Sequence, residues 1–337
     1  MKSAVKFLSL NCWGLPFLTP QKNRRLEAIA ESIRGGNWDV VALQEVWLKG
    51  DQDGVIKNSG FEHWVVFKGS SKLFGSGMIL LSRHKILKSD FHRFYVSGFP
   101  HRVHEGDFHS SKGVGFALLE TPLGPMPVFI THLIARYAPR YEIDTNKVFR
   151  MAQVLELVFY VRRMAKLSGF ILCGDLNATD EDLEFEVLCA LIGVPKSLRQ
   201  RLRSDKKRLD HIICGATETQ HHFKISSPTI VFKGAMRGEK IPYSDHHGIS
   251  TYVRRAQMPI ESIYTKKILA RTWRYMNHSI EAVKQVDRGI GLIPILGRVN
   301  GIFMKPQLIY IQMLLGMLEM DLEQAHSAHP LGLKGAT

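Results

Sequence analysis

Several apolar runs in the first 250 residues end in side chains that can bind a metal, move a proton or contact a phosphate. One of them, FILCGDLN at 170–177, ends in Asp175 and Asn177, which point the same way by the two-residue period of a strand. The other segments of this kind are LNCWG with Asn11, LQEVW with Glu45, THL with His132, RLD with Asp210 and SDHH with Asp245 and His246. Carboxylates, amides and imidazoles in one kind of position predict a shared site at a sheet rim.

Each of these residues also has an ordinary structural interpretation. Asparagine at a strand end is usually a turn residue, Glu45 can be a solvated end charge, and Asp210 can pair with Arg208. His132 taken alone is more typical of a hydrogen-bonded structural histidine. Their recurrence at successive strand ends favours the functional interpretation.

The acidic side chains predict a bound cation. Buried carboxylates are costly unless they are paired or bind a metal, so Glu45 and Asp245 at converging strand ends call for one. Oxygen ligands without cysteine favour a hard ion, above all Mg²⁺, which also keeps water and substrate phosphate oxygens as ligands.

The histidines supply acid–base chemistry. His246 can act as a general base on water if a carboxylate orients its ring, and Asp210 is the candidate. His132 and Asn177 can donate to phosphoryl oxygens as negative charge develops. The predicted reaction is metal-assisted hydrolysis of a phosphate ester by direct attack of water.

The elements that must position these residues alternate between strands and helices from residue 5 to 253. Candidate strands are 5–11, 39–45, 63–68, 77–83, 114–120, 127–133, 170–177, 208–214 and 248–253, and candidate helices are 21–34 and 144–166. This order predicts an α/β fold in which two packed sheets are flanked by helices.

Composition limits the partners. The 337 residues carry a net charge of +14, which suits nucleic acid, a phospholipid surface or a phosphorylated small molecule. The four cysteines are few and suit reduced thiols in a cytosol-like compartment. The N-terminal segment is interpreted as the first strand rather than a signal peptide, although export without a cleaved signal stays open.

The composition changes after Val253. Residues 254–305 contain ten basic and three acidic residues and supply +7 of the net charge. An amphipathic helix is predicted from the spacing of Leu269, Trp273, Met276, Ile280 and Val283. The apolar runs at 289–297 and 306–318 are shorter than the roughly 20 residues of a membrane span. This region is either an interfacial membrane anchor or a helical hairpin packed on the core.

In this order, LNCWG, LQEVW, GDLN, RLD and SDH resemble the endonuclease/exonuclease/phosphatase superfamily over residues 5–253. The resemblance implies a DNase I-like four-layer α/β sandwich as a catalytic domain at 1–253, with 254–337 as a C-terminal helical extension. It implies that Glu45 and Asn11 belong to a Mg²⁺ site with Asp245 beside the metal. It also implies that Asp175 and Asn177 position water and phosphate and that Asp210 orients His246.

Within that superfamily, LNCWGLP, GFPHRVHEGDFHSSKGVG and THLIARY resemble the Mg²⁺-dependent neutral sphingomyelinases. Asp107 and Lys112 match an aspartate and a lysine that this family uses as a switch near the active site, which implies phosphate or headgroup contact. The implied reaction is of the phospholipase C type, in which sphingomyelin, or a lysophospholipid with the same headgroup, loses phosphocholine. The basic segment at 196–208 is a solvated face or a contact for anionic headgroups.

Three functions follow from these observations. The first is a sphingomyelin phosphodiesterase that is cytoplasmic and peripherally attached to a membrane through its C-terminal helices. The second is a nuclease or inositol-phosphate phosphatase on the same fold, against which the sphingomyelinase-like middle segment and the apolar tail argue, as they do against nucleic acid as a partner. The third is a catalytically silent membrane-binding protein.

Overall fold

The structure, a computed structural model, describes residues 4–16, 18–69, 75–138, 144–165, 169–194, 208–216, 221–257, 265–291 and 294–327. The basic segment at 196–208 lies outside the described residues except for Arg208.

Two kinds of element fill the described ranges. The strands are β1 (Val5–Asn11), β2 (Val40–Gln44), β3 (His63–Phe67), β4 (Met78–Ser82), β5 (Ile86–Arg93), β6 (Gly113–Thr121), β7 (Gly124–His132), β8 (Gly169–Asp175), β9 (Asp210–Ala216), β10 (His221–Ile225), β11 (Thr229–Val231) and β12 (Gly248–Gln257). The helices are α1 (Lys22–Gly35), α2 (Lys49–Ser59), α3 (Lys147–Ala165), α4 (Leu183–Leu191), α5 (Thr265–Gly291) and α6 (Pro294–Ser327).

The strands form two sheets that pack face to face. The first has the order β10-β12-β1-β2-β4-β3, with β11 also paired to β12, and the second has the order β5-β6-β7-β8-β9. Alternate residues of β1 face opposite layers, so Phe7 joins the core between the sheets and Leu8 packs towards α1, where Ile29 and Ile33 are buried. Helices α3 and α4 bury their apolar residues on the second sheet. The predicted four-layer α/β sandwich is confirmed.

Strand register brings the polar strand ends together. Parallel pairing of β1 with β2 puts Asn11 opposite Gln44, the residue before Glu45. In the second sheet, His132 pairs with Asp175 and Asp175 pairs with Asp210, so three predicted site residues form one row. Gly174 allows this row to form, because a Cβ there would lie 1.9 Å from the carbonyl oxygen of Thr131.

Five elements were absent from the sequence prediction, and their sequences explain why. Strand β5 lies at a sheet edge, has no fully buried side chain and lacks clear alternation. Strand β10 contributes two residues, Phe223 and Ile225, to the core, and β11 has three residues. Helix α2 contains two glycines and buries only Val55 and Ser59, so its apolar period is weak. Helix α4 is a single apolar run that cannot be told from a buried strand by periodicity. The predicted helix at 144–166 begins at Lys147, because Asp144 accepts a hydrogen bond from the Asn146 N–H in the preceding turn.

The C-terminal region is helical and packs on the second sheet's side of the sandwich. The predicted amphipathic helix is confirmed as α5, whose Leu269, Met276, Ile280 and Val283 are buried. The run at 306–318 lies within the single helix α6, which contains Pro306. Within the described residues, no helix has the length and apolar character that crossing a membrane requires.

Candidate active site

The site begins where β1 and β2 end side by side. The Asn11 Nδ2 donates to Glu45 Oε1 at 2.9 Å and to Asp175 Oδ2 at 3.0 Å. Its Oδ1 accepts a hydrogen bond from the Trp13 N–H at 3.0 Å, which fixes the amide orientation. One buried amide therefore joins carboxylates from the two sheets.

The backbone at this junction has an uncommon conformation. Glu45 has a φ of 61° and Asn177 a φ of 47°, both in the left-handed region that residues other than glycine rarely adopt. The loop after β1 packs closely on the first of them, since a Cβ on Gly14 would lie 2.0 Å from the Glu45 carbonyl oxygen. The chain thus turns sharply at two predicted site residues.

Asp175 lies at the centre of the site and is 1% exposed. Its Oδ1 accepts from the Asn177 N–H at 2.8 Å, and its Oδ2 lies 3.5 Å from His132 Nε2. The same His132 nitrogen is 4.0 Å from Glu45 Oε1. His132 is 2% exposed, so the structure places it beneath the carboxylates.

His246 and Asp210 form the other side of the site, which we call the base half. The His246 Nδ1 and Asp210 Oδ2 are 2.6 Å apart, and the other ring nitrogen, Nε2, lies 3.9 Å from Asp175 Oδ2. The loop that carries His246 is held to β1 by Ser244, whose hydroxyl donates to the Asn11 carbonyl at 2.7 Å and accepts from the His246 N–H at 3.1 Å. The ring is therefore fixed at Nδ1 with Nε2 directed towards the central carboxylate.

Asp107 and Lys112 form a buried pair beside this cluster. Lys112 Nζ lies 2.5 Å from Asp107 Oδ1 and donates to the Leu133 carbonyl at 2.9 Å. The same carbonyl accepts from Asn177 Nδ2 at 2.9 Å. The predicted pair thus contacts the site through one shared backbone oxygen.

Asp245 occupies a different environment from the other predicted metal ligands. It is exposed, and its Oδ1 lies 3.3 Å from the neighbouring Ser244 hydroxyl, whose proton is donated to the Asn11 carbonyl. The structure brings Asn11, Glu45, Asp175, Asp210, His132 and His246 into one contact network and places Asp245 at its exposed margin.

The pKa values of the buried site residues show that the protein alone does not fully stabilise their charged forms. Burial raises the pKa of Glu45, and burial together with the nearby Asp210 raises the pKa of Asp175 to about 6. Burial also holds the pKa of His132 well below its ordinary value. For His246 burial acts downwards but is outweighed by Asp210 and Asp175, so that its pKa rises to about 11. The protein alone therefore disfavours the ionised carboxylates and favours the imidazolium.

A cation fits the Asn11 and Glu45 side, which we call the carboxylate half. Glu45 Oε2 is buried and has no hydrogen-bond partner among the described residues, and the same is true of Asp210 Oδ1 in the base half. Such an acceptor is costly unless a donor or a cation satisfies it. A second group, Asp175, Asp210 and His246, has ligand atoms within 4.8 Å of one another, but His246 Nδ1 already pairs closely with Asp210. Both halves thus hold an unsatisfied buried oxygen, and the carboxylate half is favoured because Glu45 accepts only an amide hydrogen bond, whereas Asp210 already pairs with His246.

Sequence reasoning missed Arg25, a fully buried residue of α1. Its guanidinium donates to the carbonyls of Cys12 and Trp13 at 3.0 and 2.6 Å and to that of Tyr243 at 3.1 Å. These carbonyls belong to the two loops that carry Asn11 and His246. Arg25 therefore ties the carboxylate half to the base half, and because its partners are backbone oxygens, no sequence motif marks it.

A model of the family described as "Endonuclease/Exonuclease/phosphatase family" matches residues 8–246, which include all the predicted site residues. This match covers more than half of the chain and confirms the resemblance drawn from the motifs.

Two curated relatives carry names of the predicted branch. The chain is 25% identical over 292 residues to the "Putative neutral sphingomyelinase" of Drosophila melanogaster, covering 77% of this chain and 64% of the relative. It is 29% identical over 180 residues to "Sphingomyelin phosphodiesterase 2" of Homo sapiens, covering 53% of this chain and 42% of the relative. The chain thus spans less than two thirds of the length of either relative.

Among solved structures, a crystal structure of beta toxin from Staphylococcus aureus with bound magnesium ions superposes with a TM-score of 0.57 at 18% identity. The superposition covers 74% of this chain and 99% of the toxin chain. At this identity the likeness shows the shared fold.

Proposed function

The chain belongs to the endonuclease/exonuclease/phosphatase family, and we propose that it is a Mg²⁺-dependent phosphodiesterase of the phospholipase C type. Its proposed substrate is sphingomyelin or a lysophospholipid with the same headgroup, and its products from sphingomyelin are ceramide and phosphocholine. The observation that carries the proposal is the meeting of the carboxylate half and the base half around Asp175. The names of the curated relatives support the choice of substrate.

His246 is the proposed general base. Its Nδ1 is held by Asp210, which leaves Nε2 as the atom that accepts a proton from the attacking water. That nitrogen lies 3.9 Å from Asp175 Oδ2, a separation beyond direct hydrogen bonding. A water molecule between the two groups would be oriented by the carboxylate and deprotonated by the imidazole.

Glu45 and Asn11 are the proposed Mg²⁺ site, with Asp245 at its exposed margin. The buried and unpartnered Glu45 Oε2 supports this assignment. When bound, Mg²⁺ would neutralise phosphate oxygens as a Lewis acid and offset the carboxylate charge that keeps His246 protonated.

The remaining predicted residues are proposed to position the phosphate and headgroup. Asn177, shaped by its left-handed backbone and anchored to Leu133, is 6% exposed at the end of β8. Lys112 is the proposed source of positive charge next to it, held in place by Asp107. His132 orients the carboxylates from beneath and supplies a neutral donor to the developing charge.

An enzyme whose substrate is a lipid must bind the membrane that contains this lipid. We propose that the protein is cytoplasmic and attaches peripherally through its C-terminal helices, with α5 supplying basic residues. The net charge of +14 supports attraction to anionic lipid.

The test is hydrolysis of sphingomyelin vesicles in parallel with nicked and abasic DNA and an inositol phosphate. Glu45→Ala, Asp175→Ala and His246→Ala should each lower Mg²⁺-dependent release of phosphocholine by at least about a hundredfold. His63→Gln on the edge strand β3 is the matched control and should leave turnover unchanged. Cleavage of DNA or inositol phosphate in preference to sphingomyelin would reject the substrate assignment, and near-normal turnover of a site variant would reject the mechanism.

A further inference from the structure

Helix α6 has apolar residues on two opposite faces, of which only one packs on the protein. Met304, Ile311, Leu314 and Leu318 are buried against the core. The opposite face carries Ile302, Ile309, Met313 and Met320, which are 67%, 57%, 51% and 55% exposed. Together with the exposed Pro306 these four residues define the α6 stripe. Their spacing of three, four and seven residues places them on one side of the helix.

The margins of the stripe carry side chains suited to a lipid interface. Lys305 and Tyr310 flank it on α6, and Tyr95, which is 53% exposed, contacts Tyr310 with ring centroids 4.6 Å apart. Tyrosine rings favour the headgroup level of a bilayer, and a lysine stem can lie on apolar surface while its ammonium group reaches phosphate. An apolar centre with this border resembles the exposed face of an interfacial helix.

Charge argues for a membrane rather than a second copy of this chain. Residues 254–318 contain ten basic and three acidic residues, and the whole chain carries +14, whereas the end of α6 beyond Leu318 adds Glu319, Asp321 and Glu323. A two-fold dimer through the stripe would bring two strongly basic molecules together. An anionic lipid surface is complementary to the same charge.

Helix α6 contacts the chain next to the active site through two residues outside the stripe, Phe303 and Gln307. The Phe303 and Phe108 rings are 5.3 Å apart, and Gln307 Oε1 accepts from the N–H groups of Ser97 and Gly98 at 2.6 and 3.1 Å. Phe108 follows Asp107, the partner of Lys112 beside the site. Docking of α6 on a bilayer would therefore hold the segment that contains Asp107 and Phe108, beside the active site, near the lipid headgroups.

We infer that the α6 stripe is the surface by which this protein docks on a phospholipid bilayer, an inference that rests on the proposed function for its choice of partner. Ile309 and Met313 enter the acyl boundary, and Lys305 contacts anionic headgroups. Helix α6 then lies in the plane of the interface without crossing it.

The experiment uses the full chain, vesicles of phosphatidylcholine and sphingomyelin with or without phosphatidylserine, and the water-soluble substrate p-nitrophenyl phosphorylcholine. Ile309→Ser with Met313→Ser should lower vesicle partitioning at least about tenfold while hydrolysis of the soluble substrate stays unchanged. Lys305→Gln should lower the gain from phosphatidylserine by about fivefold, which corresponds to about 1 kcal/mol for one basic residue at the surface. The matched control is Trp64→Ser with Leu87→Ser, two exposed apolar residues on β3 and β5, which should leave both readouts unchanged.

The outcomes separate the docking surface from the proposed function. Wild-type partitioning by the Ile309→Ser, Met313→Ser variant would overturn the docking surface, even if sphingomyelin is hydrolysed. Loss of partitioning in this variant, with no hydrolysis of sphingomyelin by the wild type, would support the surface and reject the proposed function. A wild-type dimer that the same variant converts to monomer, without vesicle binding by either, would identify a second copy as the occupant and overturn the inference.

Discussion

The base half and the carboxylate half of the active site differ in what the chain alone pairs with their carboxylates. Asp210 holds His246 at 2.6 Å, and Ser244 fixes the loop that carries the histidine. Glu45, by contrast, accepts only the amide of Asn11, which it shares with Asp175. Each half keeps one buried oxygen, Glu45 Oε2 or Asp210 Oδ1, without a partner among the described residues. The contacts needed for proton transfer are therefore already formed between Asp210 and His246, whereas Glu45 holds only an amide donor and is the better place for a bound cation.

The largest expected loss of kcat follows a substitution in the base half. His246→Gln should lower kcat by about a thousandfold, because the group that takes the proton from water is lost. Mg²⁺ affinity should stay within a few-fold of wild type, as measured by titration calorimetry. Equal losses of turnover and Mg²⁺ affinity would show that the two halves are one metal site and would break the comparison.

A smaller loss is expected when the histidine stays but its orientation is weakened. Asp210→Asn should lower kcat by about a hundredfold, because the amide no longer stabilises the imidazolium that forms when the ring takes a proton. The measurement is kcat and KM across pH, and KM should change little. A variant that mainly raises KM would instead give Asp210 a role in substrate binding.

Arg25 tests the mechanical connection between the halves. Arg25→Gln removes the donors that bind carbonyls in both loops, and we expect a tenfold lower kcat with destabilisation of about 2–3 kcal/mol. Arg25→Lys should recover part of the activity. Urea unfolding and steady-state kinetics on the same preparations measure both effects, and unchanged kcat in a destabilised Arg25→Gln variant would reduce the residue to a purely structural role.

The smallest expected effect is on the free energy of unfolding at acid pH, and it concerns His211, next to Asp210 on β9. Its Nε2–H donates a hydrogen bond to the Ala178 carbonyl at 2.9 Å, and burial lowers the pKa of the ring to about 3. Because the unfolded chain takes up a proton near pH 6.5 and the folded chain does so only near pH 3, stability falls as pH drops through this window.

His211→Phe should remove this share of acid sensitivity, at a cost of about 1 kcal/mol near pH 7 from the unpaired Ala178 oxygen. The measurement is the urea midpoint of both proteins between pH 7 and pH 4. Parallel midpoint curves for the two proteins would assign the acid sensitivity to other groups.

Much of this site was predictable because its residues end strands with strong patterns. Asn11, His132 and Asp175 follow buried apolar runs, and parallel pairing brings such ends to the same rim. The left-handed turn at Glu45 and the shared carbonyl of Leu133 were not predictable, since both depend on packing between the sheets. The α6 stripe was hidden for another reason, because sequence periodicity shows that a helix is apolar on two sides but not which side the core covers.

The most direct test is Mg²⁺ binding to the metal-free protein, measured by titration calorimetry for wild type, Glu45→Gln and Asp210→Asn. We expect one Mg²⁺ per chain in the wild type, a loss of at least about a hundredfold in affinity for Glu45→Gln, and a change of less than tenfold for Asp210→Asn. The opposite pattern, in which Glu45→Gln binds like wild type and Asp210→Asn does not, would place the cation in the base half and contradict the division of the site described here.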